Sequence, residues 1–281
     1  VANESVTLIE ALVLGTVQGL TEFLPISSSA HLRVVPAALG WHDPGAAYSA
    51  VLQLGSVLAV ISYFFKQLVD IAGGTLKAIK EKDFQAPDFK IAAGIIIGTI
   101  PICVIGLAIK KLLESPDSPI RSLMVVGIVS IVMGLMLLVA EKFGSQKKVL
   151  TEMGIKEGLL VGFGQALALI PGCSRSGSTL TVAMLLGLNR ADAARFSFLL
   201  GIPAIVLSGL LELKELVEIG FQQSDVVNLA VGLLASTIVS YLSIAWLIKF
   251  LQKHSTWGFV IYRVIFGAYV IFLATKSTSG G

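Results

Sequence analysis

Five long stretches of the chain, 45–65, 91–109, 122–140, 196–211 and 226–248, contain no Asp, Glu, Lys or Arg. A bilayer core of about 30 Å takes about 20 apolar residues of helix, so each stretch reads as a membrane span. A sixth, 256–275, qualifies apart from Arg263. Charged residues make up 14% of the chain and mean hydropathy is +0.86, whereas soluble domains carry roughly 25% charge. The expected fold class is therefore an all-α integral membrane protein with about six full transmembrane helices. The net charge of +3 is dispersed and forms no basic stripe, so no nucleic-acid partner is expected. Cys103 and Cys173 stand far apart without metal-ligand spacing, which points to neither a disulfide framework nor a zinc site. Glu10 stands where a secretory signal would be apolar, so the first segment is expected to stay in the mature protein.

Two further apolar regions are interrupted. Residues 4–40 carry the break Glu22-Phe-Leu-Pro-Ile-Ser-Ser-Ser-Ala-His31, and residues 155–189 carry Pro171-Gly-Cys-Ser-Arg-Ser-Gly-Ser-Thr179. Each arm is half a span, so both regions are expected to be re-entrant helix hairpins with irregular tips near mid-membrane. Backbone of that kind must be buried in protein or line a cavity. Kinked full spans are the alternative.

The two regions resemble each other. Gly15-Thr-Val-Gln-Gly-Leu matches Gly162-Phe-Gly-Gln-Ala-Leu, and with one residue dropped Pro25, Ser28 and Gly55 match Pro171, Ser174 and Gly201, each 146 residues later. This divides the chain into a first repeat, 1–145, and a second, 146–281, each with one hairpin and three spans. Three spans invert the second repeat, the plan in which a site forms at the repeat interface. Lys is concentrated in 66–90, 141–157 and 249–254, segments expected to be loops on the cytoplasmic side, with the first hairpin opening outside.

Charge at membrane depth is costly, which makes Glu22 and Arg175 functional candidates or a structural pair between repeats. Gln18 and Glu22 are four residues apart and share a helix face. Their oxygens suit a divalent cation such as Mg²⁺ or Ca²⁺, or an interhelical hydrogen bond. Ser28 and His31 share the first turn after Pro25, where a histidine can take a serine's proton, although Ser27, Ser28 and Ser29 equally suit a helix cap. Ser174, Arg175, Ser176 and Thr179, beside permissive glycines, have the parts of a phosphate or diphosphate cradle. Arg263 is expected to snorkel to the interface, with the same cavity as its alternative.

These residues carry a resemblance. Gln18-Gly-Leu-Thr-Glu22-Phe-Leu-Pro-Ile-Ser-Ser28-Ser-Ala-His31 together with Pro171-Gly-Cys-Ser174-Arg175-Ser-Gly-Ser-Thr179 is similar to the bacterial undecaprenyl-diphosphate phosphatase family, also called bacitracin-resistance proteins. The resemblance implies hydrolysis of undecaprenyl diphosphate to the monophosphate, recycling the lipid carrier of peptidoglycan synthesis. It also implies a multi-pass enzyme of the bacterial cytoplasmic (inner) membrane whose site faces outside. It gives Glu22, Ser28, His31 and Arg175 catalytic roles and Gln18, Ser27, Ser174, Ser176 and Thr179 substrate-binding roles, with a divalent cation at Glu22 and Gln18. Gln18 departs from the family's usual Glu, leaving Glu22 as the main carboxylate. The expected partners are a polyprenyl diphosphate lipid and membrane lipids, with a homodimer as the candidate assembly. Attack by Ser28 and attack by an activated water both remain open. The competing function is a transporter or flippase of polyprenyl phosphate lipids.

Overall fold

A computed structural model describes residues 6–42, 45–109, 112, 118–219 and 223–279; the expected hairpin start at Glu4 lies outside these. Eleven α-helices are described: α1 (Leu8–Thr21), α2 (Ser28–Leu39), α3 (Gly45–Tyr63), α4 (Phe65–Glu81), α5 (Pro87–Ala108) and α6 (Leu123–Phe143), then α7 (Ile155–Ala166), α8 (Arg175–Leu185), α9 (Arg190–Ile219), α10 (Gln223–Lys253) and α11 (Trp257–Ser279). Among the described residues an isolated bridge between Lys148 and Leu188 is the sole β feature. Five helices are long and apolar enough to cross a membrane, and α3 with α4 makes a sixth if the bent pair is counted as one span. All six expected spans thus coincide with helices.

The hairpins follow from local chemistry. Thr7 opens α1 with a capping box, its hydroxyl 3.3 Å from the Glu10 N–H and its own N–H 2.7 Å from Glu10 Oε2. The helix stops ahead of Pro25, which has no N–H to donate and disfavours helical geometry in the residue before it. Ile170, before Pro171, is extended, with φ −86° and ψ 118°. Both chains restart from a serine in the left-handed region: Ser27 at φ 75° precedes α2, and Ser174 at φ 69° precedes α8. These matched restarts lie 147 residues apart, the same spacing as Gln18 and Gln165. That spacing is one residue longer than the 146 of the Pro25–Pro171 match. In each, the second arm folds back against the first, α2 on α1 and α8 on α7.

The first arms pack on helices from the other half of the chain: α1 on α10, and α7 on α5. Glycine permits the approach. A Cβ at Gly15 would stand 2.2 Å from the Gly232 carbonyl oxygen, and one at Gly162 would stand 2.2 Å from the Gly98 carbonyl oxygen. Small residues four apart (Gly15 and Gly19, Gly94 and Gly98, Gly158 and Gly162) replace the hydrophobic driving force that lipid does not provide between helices. The same exchange recurs for α3 on α10 and α9 on α5, while α6 packs on α11 and α3 on α9.

Phe23 and Ile26 of the first tip are buried with Leu180, Phe196 and Leu199, and the Phe23 and Phe198 rings meet edge to face at 5.0 Å. The broken backbone thus sits inside an apolar core. Outward-facing Ile96, Leu107, Val132, Leu242, Ile265 and Phe272 are exposed, an apolar surface suited to lipid.

One expectation is corrected. The Lys-rich stretch 66–90 is not a loop: most of it is α4, which leaves α3 at 70°. Its Ile71 and Ala78 are buried and it packs on α5, while the lysines lie on its open side. Lysine density concealed the helical period beneath it.

Gly162→Ala should collide with backbone, costing roughly 1–3 kcal/mol or more. Gly73→Ala, with nothing within 4 Å of the new Cβ, should be neutral or slightly stabilising. Thermal unfolding midpoints in detergent should fall for the first and hold or rise for the second.

Candidate functional site

The two tips meet through charge. Arg175, the first residue of α8, donates from Nη2 to Glu22 Oε1 at 3.1 Å. Its guanidinium lies against Gly201, where a Cβ would stand 1.6 Å from Nη1. The other carboxylate oxygen, Glu22 Oε2, accepts from Gln18 Nε2 at 2.8 Å and from Ser28 Oγ at 2.6 Å. The Glu22 and Arg175 side chains are only 4% and 10% exposed. Burial at that level makes the loss of either partner expensive, about 3–5 kcal/mol, because the other charge is stranded.

Backbone contacts reinforce the junction. Ser176 Oγ lies 3.1 Å from the Glu22 carbonyl oxygen and 3.0 Å from that of Leu24, so the single proton of one hydroxyl of the second tip is shared between two carbonyls of the first. Ser174 Oγ accepts from the Gly177 N–H at 3.1 Å and caps α8. Thr179 turns away, its hydroxyl against the Arg175 carbonyl and Ser197 Oγ. Ser27 is buried with Oγ 3.3 Å from Ser29 Oγ. Ser28 and Arg175 are partly open, whereas Gln18, Glu22, Ser27, Ser174, Ser176 and Thr179 are buried.

His31 stands apart from Ser28 in its hydrogen bonding. Its Nδ1 is 2.7 Å from the Ser27 carbonyl oxygen and its Nε2 is 2.6 Å from the Tyr262 hydroxyl. Phe266 stacks on the ring at 4.3 Å. A carbonyl oxygen only accepts, so Nδ1 carries the proton and neutral Nε2 accepts from the tyrosine. The base in contact with Ser28 is Glu22.

Arg263 does not snorkel. It is 1% exposed, and its guanidinium donates to the carbonyls of Ser130, Pro25, Gly172 and Cys173 at 3.0, 3.0, 2.8 and 3.1 Å. The tip carbonyls have no helical partners, and five fixed donors satisfy them better than the distant interface satisfies the arginine.

Sequence reasoning missed a hydroxyl cluster behind Gln18. Ser56 of α3 lies 3.3 Å from Gln18 Nε2, 3.2 Å from Ser236 Oγ and 2.9 Å from Ser240 Oγ. The available signal was the pair Ser236 and Ser240, four apart in an apolar helix.

Among the described residues no group of three or more His, Cys, Asp or Glu could hold a metal alone. Gln18 Oε1 is buried without a hydrogen-bond partner from the protein and lies on the same side chain that contacts Glu22. One amide oxygen and one carboxylate fit a hard cation that takes its other ligands from phosphate oxygens and water.

The pattern of the bacitracin resistance protein BacA family matches residues 11–269. The chain is 56% identical to the undecaprenyl-diphosphatase of Gloeobacter violaceus, over 96% of this chain and 92% of that relative. It is 54% identical to the same-named protein of Synechococcus elongatus, over 93% and 91%. Against that of Synechocystis sp. identity is 53%, over 95% and 82%.

Ser176→Ala removes the hydroxyl that bridges the tips and leaves the buried Glu22 carbonyl short of a donor, while that of Leu24 keeps the Ile26 N–H at 2.7 Å. It should cost about 1–3 kcal/mol, read as a lower unfolding midpoint in detergent.

Proposed function

The chain belongs to the bacitracin resistance protein BacA family, and we propose that it hydrolyses undecaprenyl diphosphate to undecaprenyl phosphate and phosphate where its two tips meet. It is a membrane phosphatase whose substrate is a polyprenyl diphosphate lipid. The observation that carries the mechanism is the hydrogen bond of 2.6 Å from Ser28 Oγ to Glu22 Oε2. It aligns a partly open hydroxyl with a buried base, the arrangement of an activated nucleophile.

The diphosphate enters between the tips with its prenyl tail left in lipid. Arg175 exchanges Glu22 for the terminal phosphate, which its planar fork binds through two oxygens. The N-termini of α2 and α8 add favourable potential for negative charge. Releasing Arg175 frees Glu22 to act as base. Ser28 Oγ attacks the terminal phosphorus and Glu22 takes its proton. The bond to the bridging oxygen breaks, and undecaprenyl phosphate departs with that oxygen and the electron pair. Glu22 passes that proton to the departing phosphate; water then attacks the phosphoserine, Glu22 takes its proton and returns it to Ser28 Oγ as the P–Oγ bond breaks, releasing phosphate. His31, held between Ser27 and Tyr262, fixes the first turn of α2 and so the position of Ser28. When Mg²⁺ or Ca²⁺ is bound, Gln18 Oε1 and Glu22 would hold it, and it would offset phosphate charge as a Lewis acid.

The two halves are read as inverted repeats, 1–145 and 146–281, with hairpins entering from opposite sides. That reading rests on the exchanged packing of α1 on α10 and α7 on α5 and on the matched restarts at Ser27 and Ser174. The Lys distribution supports an outward-facing site in the cytoplasmic membrane.

Phosphate release by purified protein from C55 diphosphate in detergent tests this reading. Ser28→Ala should lose about 10³-fold or more in kcat. Gly201→Ala, whose Cβ would push the Arg175 guanidinium off Glu22, should lower the unfolding midpoint and lose about 10²-fold in kcat through misplacement of Arg175. EDTA should lower the rate, with recovery on adding Mg²⁺ or Ca²⁺. Absence of release by wild type would contradict the hydrolase reading, and full activity of Ser28→Ala would shift attack to water.

A further inference from the structure

The geometry points to Arg263 as a positioning residue for the catalytic centre, a clamp on the backbone of both tips; this rests on the phosphatase reading above. Arg263 belongs to α11 and is 1% exposed, and its four acceptors are carbonyl oxygens. Nη1 donates to Pro25 of the first tip at 3.0 Å. Nη2 donates to Gly172 and Cys173 of the second at 2.8 and 3.1 Å. Nε donates to Ser130 of α6 at 3.0 Å, and the Ser130 hydroxyl lies 3.4 Å from the Arg263 carbonyl oxygen. Among the described residues Arg263 has no carboxylate in ion-pair range. Its charge is met by backbone dipoles, those of Pro25, Gly172 and Cys173 at the helix breaks and that of Ser130 within α6.

The clamped carbonyls lie next to the reacting groups in the chain. Pro25 is three residues before Ser28, and Cys173 is two before Arg175. Each intervening segment contains a left-handed serine, Ser27 at φ 75° or Ser174 at φ 69°. Non-glycine residues hold that geometry only when their surroundings enforce it, at about 1–3 kcal/mol each. One planar guanidinium holding both segments fixes the separation of the nucleophile's helix from the phosphate-binding helix. Lysine can place one hydrogen bond on either tip but lacks the rigid fork that spans them. The fold makes room for the fork: a Cβ at Gly177 would stand 3.1 Å from Arg263 Nη1, and one at Gly134 would stand 3.1 Å from Arg263 Cβ. The neighbouring Tyr262 holds His31 Nε2 at 2.6 Å, so successive residues of α11 secure the two helix starts.

The test compares wild type with Arg263→Lys, Arg263→Met and each combined with Arg175→Ala, reading kcat and KM for phosphate release from C55 diphosphate on the folded, monodisperse fraction. Arg263→Met should lose about 10²-fold, the scale of an ångström-level misplacement, chiefly in kcat. Arg263→Lys should recover part of that loss. In the Arg175→Ala background either substitution should have little further effect, because the geometry it protects is already gone. A purely structural residue would instead lower folded yield and leave kcat of the folded fraction unchanged, which would overturn the assignment. Effects of Arg263 and Arg175 that multiply independently would also overturn it. If Arg263→Met does not fold, Arg263→Lys decides alone: reduced kcat supports the clamp and wild-type kcat refutes it. Inactive wild type would count against the phosphatase reading rather than against the clamp.

Discussion

A carboxylate from one broken helix and a guanidinium from another meet where water is scarce, and most of the site's geometry depends on that meeting. Neither charge is tolerable alone when so buried, so each of Glu22 and Arg175 requires the other, and apolar contacts around Phe23 and Phe198 pack beside them. The attraction has a second use. In the proposed mechanism a diphosphate competes for the same guanidinium, and its arrival releases Glu22 at the moment when Ser28 needs a base. The interaction that assembles the resting site is the one the substrate exchanges.

Breaking a helix inside a bilayer exposes carbonyls and N–H groups that lipid cannot satisfy. The fold answers from both sides. Ser176 and Arg263 serve carbonyls of the breaks, and Ser174 Oγ caps the Gly177 N–H at the start of α8. Glycine-lined contacts between α1 and α10 and between α7 and α5 give this polar centre a rigid support without a hydrophobic driving force.

Much of this was legible in residue order because charge is rare in the chain. Glu22 and Arg175 stood out against apolar surroundings, and Pro25 and Pro171 marked the breaks. Arg263 was misread, since an arginine in the first third of an apolar stretch fits snorkelling as well as burial, and its acceptors are backbone groups with no sequence signature. Ser56, Ser236 and Ser240 escaped notice for a related reason: serine is common in membrane helices, and only three-dimensional packing shows that Ser236 and Ser240 meet Ser56, which contacts Gln18. The spacing of Ser28 and His31 suggested a proton transfer that the hydrogen bonding redirects, because Glu22, six residues before Ser28, reaches it only when the chain folds back at the tip. The prolines repeat at a spacing of 146 residues and the left-handed serines at 147, so the two signals differ by one residue.

The central claim is that Glu22 and Arg175 act as one unit across the two tips. A double-substitution cycle on kcat/KM for phosphate release, using Glu22→Gln, Arg175→Met and the pair together, tests it most directly. The account predicts strong coupling, with the double variant within a few-fold of the more damaged single variant. Losses that multiply as independent factors would contradict it.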